Sequence, residues 1–227
     1  METKKIKREA WLDLLRFLSA CIVLAAHLLD KQVREFGILD FKENIITYLF
    51  HTGGVGVCIF FLISGYIIPS TLEQYKSAKV FLINRFFRLF PLFLLFVAIH
   101  KIKHHETSLL GILLPFANFF KTQAILGVDW TLRIECMYYL IICYIAYYWK
   151  LNEKNLLIAN ILIFSMGIFY FIFFPEYKFL IRSCVYINYI ILGSFFFLIK
   201  KANSRKAFLS IKFLICLILI PFFLVFI

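Results

Sequence analysis

Acidic side chains are scarce in this chain of 227 residues: 13 Asp and Glu stand against 25 Lys and Arg, a formal net charge of +12. An excess of that size can mark a nucleic-acid binder. The placement of the cations excludes that class, because they fall in short connectors between apolar runs, where they report membrane topology. Cysteine pairs at metal-binding spacing are also missing. Cys21, Cys58, Cys136, Cys143, Cys184 and Cys216 all sit inside apolar segments, with no Cys-x-x-Cys and no histidine cluster beside them. They read as small buried apolar residues, so neither a zinc site, nor any other metal, nor a disulfide is expected. No internal repeat of Gly- or Pro-broken spans is visible, which weighs against a transporter. A polar tail is absent too. The last apolar run reaches Ile227, and the expectation is a single membrane domain over residues 1–227 that is incomplete at its C-terminus.

Apolar residues dominate what is there. They make up 63% of the chain, and the mean hydropathy is +0.87. That lies far outside the soluble range and implies an all-α, polytopic transmembrane helix bundle. Lys4, Lys5, Lys7 and Arg8 ahead of an apolar run, with Leu18-Ser19-Ala20-Cys21 behind, could suggest a cleaved leader. Asp13 and Arg16 would then interrupt its apolar core, so a retained first span is expected.

Hydropathy places seven spans near 12–29, 51–70, 89–100 (extended at its start by 81–87), 130–149, 156–174, 182–199 and 211–227. Pro91 is expected in the first turn of the third helix, where its missing N–H costs nothing. The segment 109–127 is ambiguous, being moderately apolar but holding Pro115, Asn118, Lys121 and Gln123. If it crossed the membrane, the basic loop Lys200, Lys201, Arg205, Lys206 would fall outside, against the positive-inside rule. It therefore reads as a re-entrant or interfacial segment, with the N-terminus cytoplasmic in the inner membrane of the cell.

Three polar constellations interrupt the apolar background. Arg16 and His27 are eleven residues apart in the first span. Eleven steps of about 100° and 1.5 Å leave an offset of about 20° and a rise of about 16 Å, so both lie on one helix face. One reading has Arg16 snorkelling to the surface, or pairing with Asp13, while His27 bonds a neighbouring helix. The other makes His27 a general base, which its ordinary titration range suits, and Arg16 an anchor for an anion. Arg85 and Arg88 enter the third span one helical turn apart. Paired guanidiniums suit phosphate oxygens, and they equally suit anionic lipid. Trp130-Thr131-Leu132-Arg133-Ile134-Glu135, followed by Tyr138 and Tyr139, opens a later span. Glu135 needs a partner there: Arg133, a tyrosine hydroxyl or the imidazole of His27. Ser64-Gly65-Tyr66 in the second span reads first as small-residue helix packing.

Taken in order, Arg-x10-His, GGVGVCIFFLISGYI, RFFRLFP and WTLRIECMYY resemble the acyltransferase-3 family of integral-membrane acyltransferases, over residues 11–145 by motif. The resemblance implies transfer of an acyl group, commonly acetyl, from acyl-coenzyme A to hydroxyls of extracytoplasmic glycans of the cell envelope. It implies that His27 is catalytic, with Arg16 and Glu135 beside it in the catalytic set. Arg85 and Arg88 match the family's Arg-x-x-Arg motif, taken to contact the donor. Ser64, in the FFxxSG element with Phe60, Phe61 and Gly65, is placed with Tyr66 on the same donor side. Trp130 and Tyr139 are placed on the acceptor side. The acyl donor is a substrate, and no bound cofactor is implied. Cys58 stands where the family often has a polar residue, Tyr138 replaces a usual Phe, and the family usually has about ten spans. Under this resemblance the imidazole removes the hydroxyl proton during attack on the thioester, or alternatively carries the acyl group itself. The contrasting class is a non-enzymatic membrane protein, either transporter-like or an inactive shortened homologue.

Overall fold

The computed structural model describes residues 10–36, 53–75, 77–103 and 129–202. Within them all regular structure is helical. The helices are α1 (Ala10–Phe36), α2 (Gly54–Leu72), α3 (Ala78–Lys103), α4 (Asp129–Tyr144), α5 (Glu153–Phe173) and α6 (Lys178–Ala202). α4 runs on into a π-helical turn, Ile145–Lys150. A helix bonds every backbone group within its own segment, which a medium without water demands. Four stretches, Ala10–Leu28, Gly54–Leu72, Glu153–Phe173 and Lys178–Lys201, are long and apolar enough to cross a membrane. The two other helices, α3 and α4, stand where spans at 89–100 and 130–149 are expected. The expected span 211–227 and the segment 109–127 lie outside the described residues.

Pro91 differs from expectation. α3 begins at Ala78, so Pro91 lies in the interior of that helix. The run Ala78–Phe90 is itself helix-forming, and starting the span at Leu89 overlooked it. The proline leaves one carbonyl without its helical N–H, a defect that helices in apolar surroundings accommodate by local adjustment. Pro69 is likewise inside α2.

The chain forms two compact units, one of Met1–Ser70 with Asn188–Ile227 and one of Thr71–Ile187. In the first unit α1 buries Leu12, Ser19 and Ala26. Their spacing of seven residues returns close to the same helix face. Large apolar side chains on the other faces, including Leu14, Phe17, Leu24 and Leu28, are exposed, as lipid-facing residues would be. α2 runs antiparallel to α1. Trp11 meets Tyr66 near one end, and Gly56 near the other comes so close that an added Cβ would lie 2.7 Å from the Ser19 carbonyl oxygen.

α2 and α6 cross at two glycines. A Cβ on Gly65 would collide with the carbonyl of Ile190, and a Cβ on Gly193 with the carbonyl of Leu62. Only hydrogen at both positions lets the two backbones approach this closely. The approach is then tied by a hydroxyl: Ser194 Oγ, fully buried, donates to the carbonyl oxygen of Gly65 at 2.8 Å.

In the second unit α3 and α4 are antiparallel. Tyr147 Oη at the end of α4 donates to the Tyr75 carbonyl ahead of α3 at 2.9 Å, and Tyr139 packs on Phe81 one helical stretch further in. The chain between these helices therefore leaves and returns at the same end of the pair. A two-residue connection then leads to α5, whose N-terminus is capped by Asn152 accepting from the Asn155 N–H at 2.8 Å. The Asn155 side-chain amide donates in turn to the carbonyls of Trp149 and Lys150, closing the wide turn where Lys150 takes a φ of 78°. α5 returns through Phe174–Tyr177 into α6, and Gly167 sits 3.0 Å, measured from an added Cβ, from Cys184 Cβ.

Gly65→Ala is expected to destabilise the protein by about 2 kcal/mol or more, since the clash is with backbone rather than a movable side chain. Ser194→Ala should cost about 0.6 kcal/mol, the usual worth of an interhelical side-chain hydrogen bond. Thermal unfolding in detergent micelles measures both, and equal effects of the two changes would contradict the crossing described.

Candidate active site

The charged centre of the second unit is Arg85. α3 carries Phe81 and Arg85 four residues apart, hence on one face, and turns that face toward α4. The Arg85 guanidinium lies over two rings, with its Cζ 5.2 Å from the Phe81 centroid and 5.5 Å from that of Tyr139. The two rings meet edge to face, centroids 5.8 Å apart at 90°, and the Tyr75 ring backs Phe81 at 5.9 Å. Arg85 retains only 7% of its exposure and Tyr139 only 3%. Among the described residues nothing accepts a hydrogen bond from Arg85 Nη2, which is itself fully buried. An unmatched charged donor of this kind is costly in low-polarity surroundings.

Glu135 completes the cluster. It lies one turn before Tyr139 on α4, and Tyr139 Oη donates to its Oε1 at 2.5 Å. Of the partners open to this carboxylate from the sequence, a tyrosine hydroxyl, that of Tyr139, reaches it. The contact also joins residues placed on opposite sides of the membrane by sequence: Tyr139, expected near the acceptor, is the ring on which the donor-side Arg85 rests. Helix geometry accounts for this. Arg85 lies seven residues beyond Ala78, a rise of about 10 Å, and Tyr139 lies five residues before the facing end of α4 at Tyr144, about 8 Å. Two antiparallel helices bring those levels together.

Arg88 does not share the cluster. It is exposed while Arg85 is buried, because three residues advance a helix by about 300° and the remaining 60° crosses the edge of the buried face. Trp130 stacks obliquely on Tyr186, centroids 5.1 Å apart, and Arg133 is buried.

In the first unit Arg16 is half-buried and His27 exposed. Both stand at the flank of the Leu12, Ser19, Ala26 stripe, and Ser19 Oγ donates to the Arg16 carbonyl at 2.8 Å. Ser64 is buried. Tyr66 is boxed by Trp11 at 5.8 Å and Phe197 at 6.1 Å, both edge on, with Lys200 Nζ 5.6 Å above its ring. Sequence reading missed Phe81, Trp11, Phe197 and Lys200 as neighbours of site residues. Phe81 carried a local signal, its spacing of four from Arg85. The other three had none, because they reach Tyr66 from distant helices.

Four apolar helices able to cross a bilayer define a multi-pass membrane protein. The chain matches the profile described as "Acyltransferase domain" over residues 9–227 and belongs to that family, the acyltransferase-3 family. Nodulation protein 10 of Rhizobium leguminosarum bv. viciae is 26% identical over 169 residues, covering 61% of this chain and 44% of that protein. The chain thus spans less than half the length of that relative. No solved structure matches.

Tyr66→Leu, which keeps apolar bulk but removes the ring under Lys200 and between two aromatics, should lower stability by about 1–2 kcal/mol. Lys200→Met should lose only the smaller cation–π part, about 0.5–1 kcal/mol. Thermal unfolding of the two variants in micelles checks the order, and a larger loss for Lys200→Met would contradict it.

Proposed function

We propose that the protein is an integral-membrane O-acyltransferase that moves an acyl group, acetyl in the simplest case, from cytoplasmic acyl-coenzyme A to a hydroxyl of an extracytoplasmic glycan. Membership of the acyltransferase family supports the reaction class. The observation that carries the site is Arg85, a buried guanidinium with a fully buried, unmatched Nη2. Such a group is tolerated where a ligand oxygen comes to it, and an acyl-coenzyme A offers phosphates and carbonyls.

In this reading Arg85 and Arg88 hold the donor, with Ser64 and Tyr66 on the same side. His27, exposed on a membrane helix, takes the proton from the acceptor hydroxyl as that oxygen attacks the thioester carbonyl. The thiolate of coenzyme A then leaves and takes up a proton. Arg16 and Glu135 belong to the catalytic set, and Trp130 faces the acceptor. The N-terminus is cytoplasmic, in keeping with Lys4, Lys5, Lys7 and Arg8 ahead of α1.

His27→Ala is expected to reduce transfer by at least about 100-fold, the lower end of what general-base help contributes, while the protein still inserts. Glycan O-acetylation in cells, read as a mass shift lost on mild alkaline release, measures it. Acetylation at the wild-type level in this variant would sink the assignment of the base. Replacing Arg85 and Arg88 together by alanine should raise the acetyl-coenzyme A concentration needed for half-maximal rate by about tenfold or more, as for loss of a charge-assisted contact. An unchanged donor dependence would reduce the pair to a topology anchor.

A further inference from the structure

Two aromatic rings hold the Arg85 guanidinium, and its fully buried Nη2 has no acceptor among the described residues. A cation–π contact balances the charge of a guanidinium through ring electrons, whereas hydrogen bonds to oxygen are made at the N–H edge of the group. Phe81 and Tyr139 both hold Arg85 in the first way, each through its ring face, and Nη2 is left without an acceptor among the described residues. An arginine held by a carboxylate would have spent that edge on its partner. Here the nearest acid of the cluster, Glu135, is engaged by the Tyr139 hydroxyl instead.

The arrangement has a mechanical consequence. Phe81 is fixed by its own burial and by Tyr75 behind it. Tyr139 is fixed at two points, its ring edge on Phe81 and its hydroxyl on Glu135. The phenol donates to an ionisable carboxylate one turn back on the same helix, so the tether is short and rigid. A hydroxyl that donates to an anion also leaves its ring richer in electrons, which strengthens its hold on a cation.

We propose that Tyr139 is a positioning residue for Arg85, and that Glu135 acts on donor binding through it. Together they present the free edge of the guanidinium to one anionic or carbonyl oxygen of the acyl donor. This rests on the donor role proposed for Arg85. It adds a task to Glu135, a membrane-embedded carboxylate that also belongs to the proposed catalytic set, and it moves Tyr139 from the acceptor to the donor.

The test is calorimetric titration of the full chain in detergent micelles, with coenzyme A and inorganic pyrophosphate as separate probes. Arg85→Ala is expected to raise Kd for both by at least about tenfold, and Tyr139→Leu, which removes the ring, by about tenfold. Tyr139→Phe keeps the ring and loses the tether, so about threefold is expected, and Glu135→Leu should match it. Glu135→Gln still offers an oxygen to the phenol and should stay within about twofold. Tyr139→Phe and Glu135→Gln are close in shape to the native side chains and guard against a variant that fails to fold. Wild-type affinity in Tyr139→Leu would overturn the proposal. So would equal losses in Glu135→Gln and Glu135→Leu, since Glu135 would then act by charge alone. Pyrophosphate binding that depends on Arg85 and Tyr139, with no binding of coenzyme A to the wild type, would uphold the positioning role and reject the donor reading. Failure of both probes on the wild type would reject both.

Discussion

A cation taken into an apolar helix bundle has to be given something to lie against, and the second unit is arranged around that need. Among the described residues no acceptor meets the Nη2 of Arg85. Its charge is taken by the faces of Phe81 and Tyr139, and the acid of the cluster is matched separately by the Tyr139 hydroxyl. Each group is therefore tied to the next while Nη2 remains unspent among the described residues. A direct ion pair between Arg85 and Glu135 would satisfy both charges more fully, and it would leave nothing for a ligand.

The first unit meets a different constraint with different means. Helices in lipid gain little from apolar association, so close approach and hydrogen bonds must hold them. Gly65 and Gly193 remove the side chains that would keep α2 and α6 apart, and Ser194 exploits the approach. Tyr66 follows the glycine by one residue, and the crossing places its ring between Trp11 and Phe197 under Lys200. The motif residue Gly65 thus has a structural task that is independent of any chemistry assigned to its neighbours.

Family and architecture are coupled through these constraints. The motifs that carry the family likeness are the polar residues of the spans, and in an apolar chain such residues persist only where a partner or a ligand offsets their cost. Arg16, His27, Arg85 and Glu135 are all of this kind. All four lie within residues 9–227, which match the acyltransferase domain.

Helix class and the membrane setting were legible from the sequence alone, because hydropathy and backbone satisfaction are local properties. The order of motifs, and with it the family, was legible for the same reason. Helix starts were less so. The entry of α3 at Ala78 rather than near Leu89 was hidden by Lys79, Asn84, Arg85 and Arg88, which lower hydropathy without lowering helix propensity. The partner of Glu135 was open among three candidates, and so was the surface on which Arg85 rests. The first lies four residues on in the same helix, a spacing the sequence contains; the second was settled by the antiparallel register of α3 and α4, a long-range property that no local pattern encodes. The same holds for Ser194 and the carbonyl of Gly65, 129 positions apart in the chain. Sequence determined which residues are polar within apolar spans; tertiary packing alone decided which of them meet across helices, because such contacts depend on register and crossing, and neither is written in any one segment.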